Sequence, residues 1–238
     1  MTPSVRSRVM SGLHERTART PFHFLGCWEL SEVLGRRAYD ERELLEHLDE
    51  VPLDSIYFHT HSCFLRERTL PGVYPNDFAT WAAIQVRDRV LGEKLGILDP
   101  NDAGDLESLR AEVVSLIDDH LSQLGSVPRV MFGQPFHFMQ SRVIDVPTGV
   151  KVRTLRDFRD ALANADAAVV YVHVVESRGR KGRRRNDFAT WMDEQLGLPE
   201  LANAVARLGP FPFGLEAVRR RVIQLCDEAL GREQRGVD

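Results

Sequence analysis

Apolar runs and helix-period segments alternate along the chain in an order that occurs twice. The apolar runs, rich in aromatic and β-branched residues, are FHFLGCWEL and SIYFHTHSCF in the first half and FHFMQSRVIDV and AAVVYVHVV in the second. Residues of these types favour strands. We therefore predict two strands in each half of the chain.

Each half also contains three predicted helices. The first lies between the two strands and begins at a capping-box-like start, Asp40-x-x-Glu43 in one half and Thr154-x-x-Asp157 in the other. The second begins at the hexapeptide NDFATW, and the third is LESLRAEVVSLIDDHL or LEAVRRRVIQLCDEAL. A strand–helix–strand unit favours a parallel pair with a right-handed crossover. The pattern predicts an α/β fold with the order βαβαα in each half.

The two halves share sequence as well as pattern. PFHF occurs at 21–24 and 135–138, and NDFATW occurs at 76–81 and 186–191. An offset of 114 aligns the first parts of the halves, and offsets of 110 and 109 align their later helices. Matches in this order indicate a tandem duplication. Because a two-stranded sheet is not stable alone, we expect the copies to pack with pseudo-twofold symmetry around one core.

The repeat also predicts the domain organisation. An N-terminal arm and a C-terminal tail flank two copies of the βαβαα unit, which a short linker joins. The corresponding ranges are 1–20 for the arm, 21–124 for copy one, 125–134 for the linker, 135–230 for copy two and 231–238 for the tail.

Composition restricts the class of protein. The chain is 43% hydrophobic and 28% charged, as globular proteins are, and no apolar run is long enough to span a bilayer. The first twenty residues lack the apolar segment of a secretory signal. Three widely spaced cysteines without a CxxC motif favour reduced thiols over a disulfide framework or a zinc knot. We expect a cytoplasmic protein with no membrane role.

Histidines on the predicted strands are the first candidate chemistry. If the strands of one copy are adjacent, two histidines share a face near the aspartate of NDFATW, and such a set suits a divalent metal or acid–base catalysis. The catalytic candidates are His23, His59, His61 and Asp77, and the candidate metal ligands are His23, His59, Asp77, His137, His173 and Asp187. The alternative is that each histidine is a core residue with hydrogen bonds to the backbone or to tyrosine. No cofactor is required by the sequence.

The NDFATW motif has two interpretations. Asn76 or Asp77 is suited to cap a helix, while Phe78 and Trp81 form an i, i+3 aromatic pair that faces the core. Alternatively, Trp81 and its counterpart Trp191 offer a stacking face to a sugar ring or a base.

A basic loop precedes the second NDFATW, in a chain whose net charge is −4. The segment RGRKGRRR places six cations within eight residues, namely Arg178, Arg180, Lys181, Arg183, Arg184 and Arg185. Guanidinium groups bind phosphate oxygens bidentately, so a sugar phosphate, a nucleotide or a nucleic-acid backbone is a candidate ligand. The loop lacks interleaved aromatics, which disfavours nucleic acid bound by stacking. The alternative is a solvated loop without a ligand.

The motifs resemble a known family. SIYFHTHSCFLRE followed by PNDFATW, and PFHF, YVH and NDFATW in the second copy, are similar to a prokaryotic family, domain of unknown function 5752. The resemblance covers about residues 21–230. It implies a cytoplasmic protein that works beside carbohydrate-active enzymes, and because the family has no established activity, it assigns no catalytic residue.

Signatures of P-loop, dinucleotide-binding, α/β-hydrolase and zincin sites are absent. The sequence therefore favours a protein that binds a phosphorylated or sugar-containing small molecule through the basic loop. A metal-dependent or histidine-based enzyme and a structural partner of a carbohydrate-active enzyme are the alternatives.

Overall fold

A computed structural model describes residues 16–66, 74–179 and 185–235. Its two strands are β1, Phe22–Ala38, and β2, Phe136–Val152, each 17 residues long. They pair in antiparallel fashion from Phe22 opposite Val152 to Ala38 opposite Phe136, and together they form a long two-stranded ribbon. The expectation of a protein that mixes helix and strand is confirmed.

Helices from both halves pack on this ribbon. Those of the first half are α1 (Glu41–Leu48), α2 (Leu53–Thr60), α3 (Cys63–Arg66), α4 (Asp77–Trp81), α5 (Arg89–Gly96) and α6 (Leu106–Ser122). Those of the second half are α7 (Leu155–Ala163), α8 (Ala167–Val170), α9 (Ser177–Gly179), α10 (Asp187–Glu194), α11 (Pro199–Ala206) and α12 (Leu215–Arg235). Two π-helical segments, Ala82–Val86 and Tyr171–Glu176, continue α4 and α8.

The βαβαα order is wrong, because the second predicted strand of each half is helical. SIYFHTHSCF lies in α2 and α3, and AAVVYVHVV lies in α8 and the π-helical segment after it. Both segments are buried on nearly every side, so they have no polar face that would reveal a helical period. Within the described residues each half contributes one strand, and the expected parallel pair with a crossover does not form.

The predicted helix starts are confirmed. Asp40 caps α1 by accepting a hydrogen bond from the backbone N–H of Glu43 at 2.9 Å, and Thr154 caps α7 in the same manner. Asn76 and Asn186 cap α4 and α10, so both NDFATW motifs begin helices. A side-chain oxygen at this position satisfies one of the amides that the first turn leaves unpaired.

Each of the two hydrophobic cores contains phenylalanines from the strand of the opposite half. Phe22 and Phe24, from the start of β1, pack with the helices of the second half. Phe136 and Phe138, from the start of β2, pack with the helices of the first half. Each core is therefore completed by the opposite half of the chain, and the strand ribbon joins the two cores.

Two expectations drawn from composition can be compared with the structure. Cys27, Cys63 and Cys226 are buried free thiols, as predicted. In the described part of the chain no helix has both the length and the apolar character needed to cross a membrane.

Candidate functional site

His59 lies on α2 and not on a strand, and both of its ring nitrogens have partners. Nδ1 lies 2.7 Å from a carboxylate oxygen of Asp77, and Nε2 accepts a hydrogen bond from the backbone N–H of Met139 at 3.1 Å. Nδ1 therefore carries the proton and donates it to Asp77. Burial lowers the pKa of His59, which keeps the ring neutral, although Asp77 partly opposes this shift. The side chain ties a first-half helix to the second-half strand.

Asp77 also has a cationic partner, Arg66. The guanidinium of Arg66 donates to the same carboxylate oxygen at 2.7 Å and lies over the ring of Phe58, with its central carbon 4.0 Å from the ring centroid. Burial of Asp77 opposes ionisation, yet the hydrogen bonds and charges of His59 and Arg66 hold its pKa below the usual value. Asp77 is thus an ionised, fully engaged carboxylate.

His173 repeats the arrangement of His59 in the second half. Its Nδ1 lies 3.0 Å from Asp187, and its Nε2 accepts from the backbone N–H of Leu25 at 3.0 Å. His23 is exposed and His137 is half-buried, each on its strand. The predicted pairing of strand histidines is wrong, because His59 and His173 lie on helical segments.

These histidine sets do not gather metal donors. Neither His23, His59 and Asp77 nor His137, His173 and Asp187 bring three donor atoms within 4.8 Å of one another. Because His59 and His173 already bond on both nitrogens, the geometry agrees with the interpretation of satisfied core histidines.

Trp81 and Trp191 also serve the core. Each indole N–H donates to a backbone carbonyl at 3.0 Å, that of Gln134 for Trp81 and that of Thr20 for Trp191. The side chains are only 5% and 6% exposed. Neither ring offers a free stacking face, so the structural interpretation of NDFATW fits the geometry of both copies.

Two other candidates from the sequence do meet in one surface cleft. His61, at the end of α2, and Arg178, in α9, line a cleft of about 640 Å³ together with Asn101, Asp105, Glu107 and Gly179. We call it the Arg178 cleft. Its volume is within the 300–1,000 Å³ range typical of small-molecule sites. It contains residues of both halves, and Arg178 and Gly179 in its lining begin the basic segment of the sequence.

His61 is held in the wall of this cleft by aromatic stacking. Its ring lies parallel to that of Tyr57, with 4.5 Å between centroids and 4° between planes. Nδ1 lies 2.9 Å from the hydroxyl of Thr60. The position aligned with His61 in the second half is Val175, so this histidine belongs to one half alone.

A chain of buried hydroxyls runs behind His61 between the halves. Tyr171 donates to the hydroxyl of Tyr57 at 3.2 Å, and Tyr57 donates to the carboxylate of Glu176 at 2.7 Å. Ser62 lies 3.3 Å from the hydroxyl of Tyr171. Burial is the main cause that raises the pKa of both tyrosines, so both hydroxyls stay protonated. We call these four residues the tyrosine chain.

Arg178 is the cation that the structure places in the cleft. One terminal nitrogen donates to the carbonyl of Leu208 at 3.3 Å, while Nε is buried and has no hydrogen-bond partner among the described residues. Burial lowers the pKa of this guanidinium, and Asp99 partly opposes the shift. A buried N–H without an acceptor is costly, and an anion would supply one.

The remaining cations of the basic segment divide into two groups. Arg185 donates to Asp193 and Asn203, both at 2.6 Å, and is thereby occupied within the second half. Arg180, Lys181, Arg183 and Arg184 lie outside the described residues. Gly179 is required for packing, because a Cβ there would lie 2.6 Å from a ring carbon of Tyr57.

The sequence did not predict that polar residues within 101–107 line a cleft together with Arg178. Asn101 and Gly104 lie in the loop before α6, and Asp105 caps that helix by accepting from the N–H of Ser108 at 2.7 Å. The signal in the sequence was the run PNDAGD, a polar turn with a capping residue. Nothing in the sequence indicated that this turn faces residue 178 from the other half.

Comparison with known proteins places this fold among characterised structures. A family model described as "Family of unknown function (DUF5752)" matches residues 19–227. A solved structure, that of OrfY from Thermoproteus tenax, is 28% identical in sequence. The two chains superpose with a TM-score of 0.75, and the matched region covers 90% of this chain and 97% of the OrfY chain. A search of curated proteins gives no match.

Proposed function

The chain belongs to DUF5752, a family of unknown function, and we propose from its own geometry that it binds a phosphorylated or sugar-containing small molecule in the Arg178 cleft. The observation that carries the proposal is that His61 and Arg178 line one cleft. Arg178 has a buried N–H with no acceptor in the part of the chain that the structure describes.

The charges of the cleft favour a ligand with two kinds of polar group. Arg178 and the adjoining basic segment suit a phosphate, because guanidinium groups pair with its oxygens. On the other wall Asn101, Asp105 and Glu107 offer carbonyl and carboxylate oxygens, which accept hydrogen bonds from hydroxyls. Carboxylates repel a bare polyanion, so this wall disfavours nucleic acid. A sugar phosphate has both groups on one small molecule.

Matching contacts in the two halves support the tandem-duplication hypothesis. Aligned residues make matching contacts, as His59 with Asp77 and His173 with Asp187 show. The antiparallel pairing of β1 with β2 is what a twofold axis between the halves would produce. We infer that two copies joined and that their junction became the binding site.

Cytoplasmic location, the domain bounds and a carbohydrate-active partner enzyme remain predictions.

A panel of ligands tests the proposal. Glucose 6-phosphate, glucose, inorganic phosphate, AMP and a short RNA are each added to the wild type, and the melting temperature is measured. Because a ligand of the native state stabilises it by mass action, we expect glucose 6-phosphate to give the largest rise. R178Q should lose most of the rise while it keeps the fold. The exposed Arg89, paired with Glu93, provides the matched control R89Q, which should respond as the wild type does.

The double variant R183S/R184S tests the rest of the basic segment and leaves the contacts of Arg185 intact. Raising the salt concentration should reduce the response, since phosphate attraction is screened. Equal responses of R178Q and the wild type, or no response to any member of the panel, would contradict the proposal.

An enzyme that uses His61 is the second candidate function, favoured by the position of His61 in the cleft wall against Tyr57. Histidine is the residue type that most often acts as a general base toward water. Release of phosphate from glucose 6-phosphate, followed by phosphorus NMR, tests it. H61V introduces the residue of the second half and should abolish release but retain binding. Absence of release by the wild type would exclude this candidate for that substrate.

A further inference from the structure

A buried polar cluster lies in the first half, outside the Arg178 cleft. Glu41 at the start of α1, Asp88 at the start of α5 and His120 near the end of α6 place one donor atom each within 4.8 Å of one another. We call them the Glu41 cluster. His120 lies fifteen residues along α6 from Asp105, about 22 Å at 1.5 Å per residue, so the cluster is separate from the cleft.

One imidazole nitrogen lies between the two carboxylates. Nε2 of His120 is 2.8 Å from an oxygen of Asp88 and 4.0 Å from an oxygen of Glu41. The side chain of His120 is 5% exposed and that of Asp88 11% exposed. Asp88 also caps α5 with its other oxygen, which accepts from the N–H of Leu91 at 2.9 Å. The oxygen that faces His120 is thereby fixed in direction.

Glu41 is the most deeply buried residue of the cluster. Its side chain is 0% exposed, and neither carboxylate oxygen has a hydrogen-bond partner among the described residues. Burial, and then the charges of Asp88 and Asp40, raise the pKa of Glu41 to about 8. Arg129 does not relieve the cluster, because it bonds to Asp40 on the outer side. A buried carboxyl without partners is costly, and such groups occur where a ligand completes them.

The second half shows that the fold does not need these polar groups. The aligned positions are Leu155, Leu198 and Ala229, and all three pack with the apolar core. Leu155 begins α7 as Glu41 begins α1, and Leu198 precedes α11 as Asp88 precedes α5. The same local structure is thus built with apolar side chains in one half and with three potential ligands in the other.

We propose that Glu41, Asp88 and His120 bind one divalent transition-metal cation. Two carboxylates and an imidazole are ligands that Zn²⁺, Mn²⁺ and Fe²⁺ accept, whereas Mg²⁺ and Ca²⁺ prefer oxygen alone. The cation gives the oxygens of Glu41 the partner that they lack in the protein. It also joins the starts of α1 and α5 to the end of α6.

Zinc titration of the chelator-treated protein tests this proposal. We expect the wild type to bind one Zn²⁺ per chain with micromolar or tighter affinity, measured by calorimetry and by elemental analysis. E41Q keeps the shape of Glu41 and removes its charge, and it should weaken binding at least tenfold. The triple variant E41L/D88L/H120A carries the residues of the second half and should weaken binding at least a hundredfold.

Four controls keep the result decisive. H23A removes an exposed histidine and should bind zinc as the wild type does, and so should R178Q, which separates this site from the cleft. Circular dichroism checks the triple variant, and if that variant is unfolded, the affinity of E41Q decides. Mg²⁺ and Ca²⁺ should not compete at tenfold excess. Unsaturable binding by the wild type, or unchanged affinity in folded E41Q and in the triple variant, would overturn the proposal.

Discussion

At the residue scale, structural contacts explain why a histidine stands at the aligned positions 59 and 173 of the two halves. His59 and His173 each join a buried helical segment to the strand of the opposite half through a backbone N–H. Each is oriented by the aspartate of its own NDFATW motif. Geometry of this kind fixes the tautomer of a neutral ring, and acid–base chemistry would require one nitrogen to be free.

Stability below neutral pH should depend on His59. Burial lowers its folded-state pKa beneath the unfolded value of 6.5, so the unfolded chain takes up a proton that the folded chain refuses. The free energy of unfolding therefore falls as pH decreases through 6.5, by at most about 1.4 kcal/mol per pH unit. Urea titrations from pH 8 to pH 5 should show a shallower fall for H59Q than for the wild type. A steeper fall in H59Q would contradict this assignment.

The backbone of Arg87 is strained, whereas the aligned residue of the second half is a glycine and is not. It has a φ of +68°, and the aligned residue, Gly197, has a φ of +64°. In this left-handed backbone conformation, residues other than glycine are destabilised by on the order of 1 kcal/mol. R87G should therefore raise the free energy of unfolding by about 1 kcal/mol, and G197A should lower it by a similar amount. Chemical denaturation measures both, and destabilisation by R87G would show that Arg87 contributes a contact that outweighs the strain.

At the element scale, the sequence predicted the ends of elements better than their type. Asp40 and the two NDFATW motifs are correctly predicted as helix starts, because a cap is a local signal that tertiary packing does not change. The second strands were misassigned because Val169, Val170 and Val172 are buried on a helix, where packing overrides their strand preference. Pro52 and Asp166, at the N-caps of α2 and α8, were the overlooked start signals.

The candidate sites show the same division between local and distant information. The basic segment is visible in the sequence, but the placement of Arg178 and Asn101 in one cleft depends on how the halves pack. Glu41, Asp88 and His120 are far apart in sequence and match no motif. Their one signal was a comparison of the two copies, in which three polar residues align with apolar ones.

The start of each strand packs in the core of the opposite half, so a substitution there should destabilise the opposite half. Phe138, 0% exposed, fills the first-half core, and Phe24, 2% exposed, fills the second-half core. F138A and F24A should each cost about 3–5 kcal/mol, as other buried phenylalanines do. Amide exchange should show that F138A loosens helices of the first half most and F24A those of the second. Loosening confined to the half that carries the substitution would argue against this packing.

At the scale of the whole molecule, the shared ribbon predicts one cooperative unit. Without the other half, the first-half core lacks two phenylalanines and the second-half core lacks three, namely Phe22, Phe24 and Phe64, so neither half should fold alone. Calorimetry of the full chain should give a single transition whose calorimetric and van't Hoff enthalpies agree. Fragments 16–124 and 125–235 should be unfolded separately and gain structure on mixing. Two separate transitions would show that the halves are independent domains.

The same packing places the Arg178 cleft at the junction of the halves, and binding there is the central claim about function. Amide hydrogen exchange with and without 10 mM glucose 6-phosphate tests it most directly. Because a bound ligand suppresses local opening, we expect slower exchange at 100–107 and 177–179, and no change around Glu41 and Asp88. Unchanged exchange at both cleft segments, or protection confined to another surface, would contradict the account.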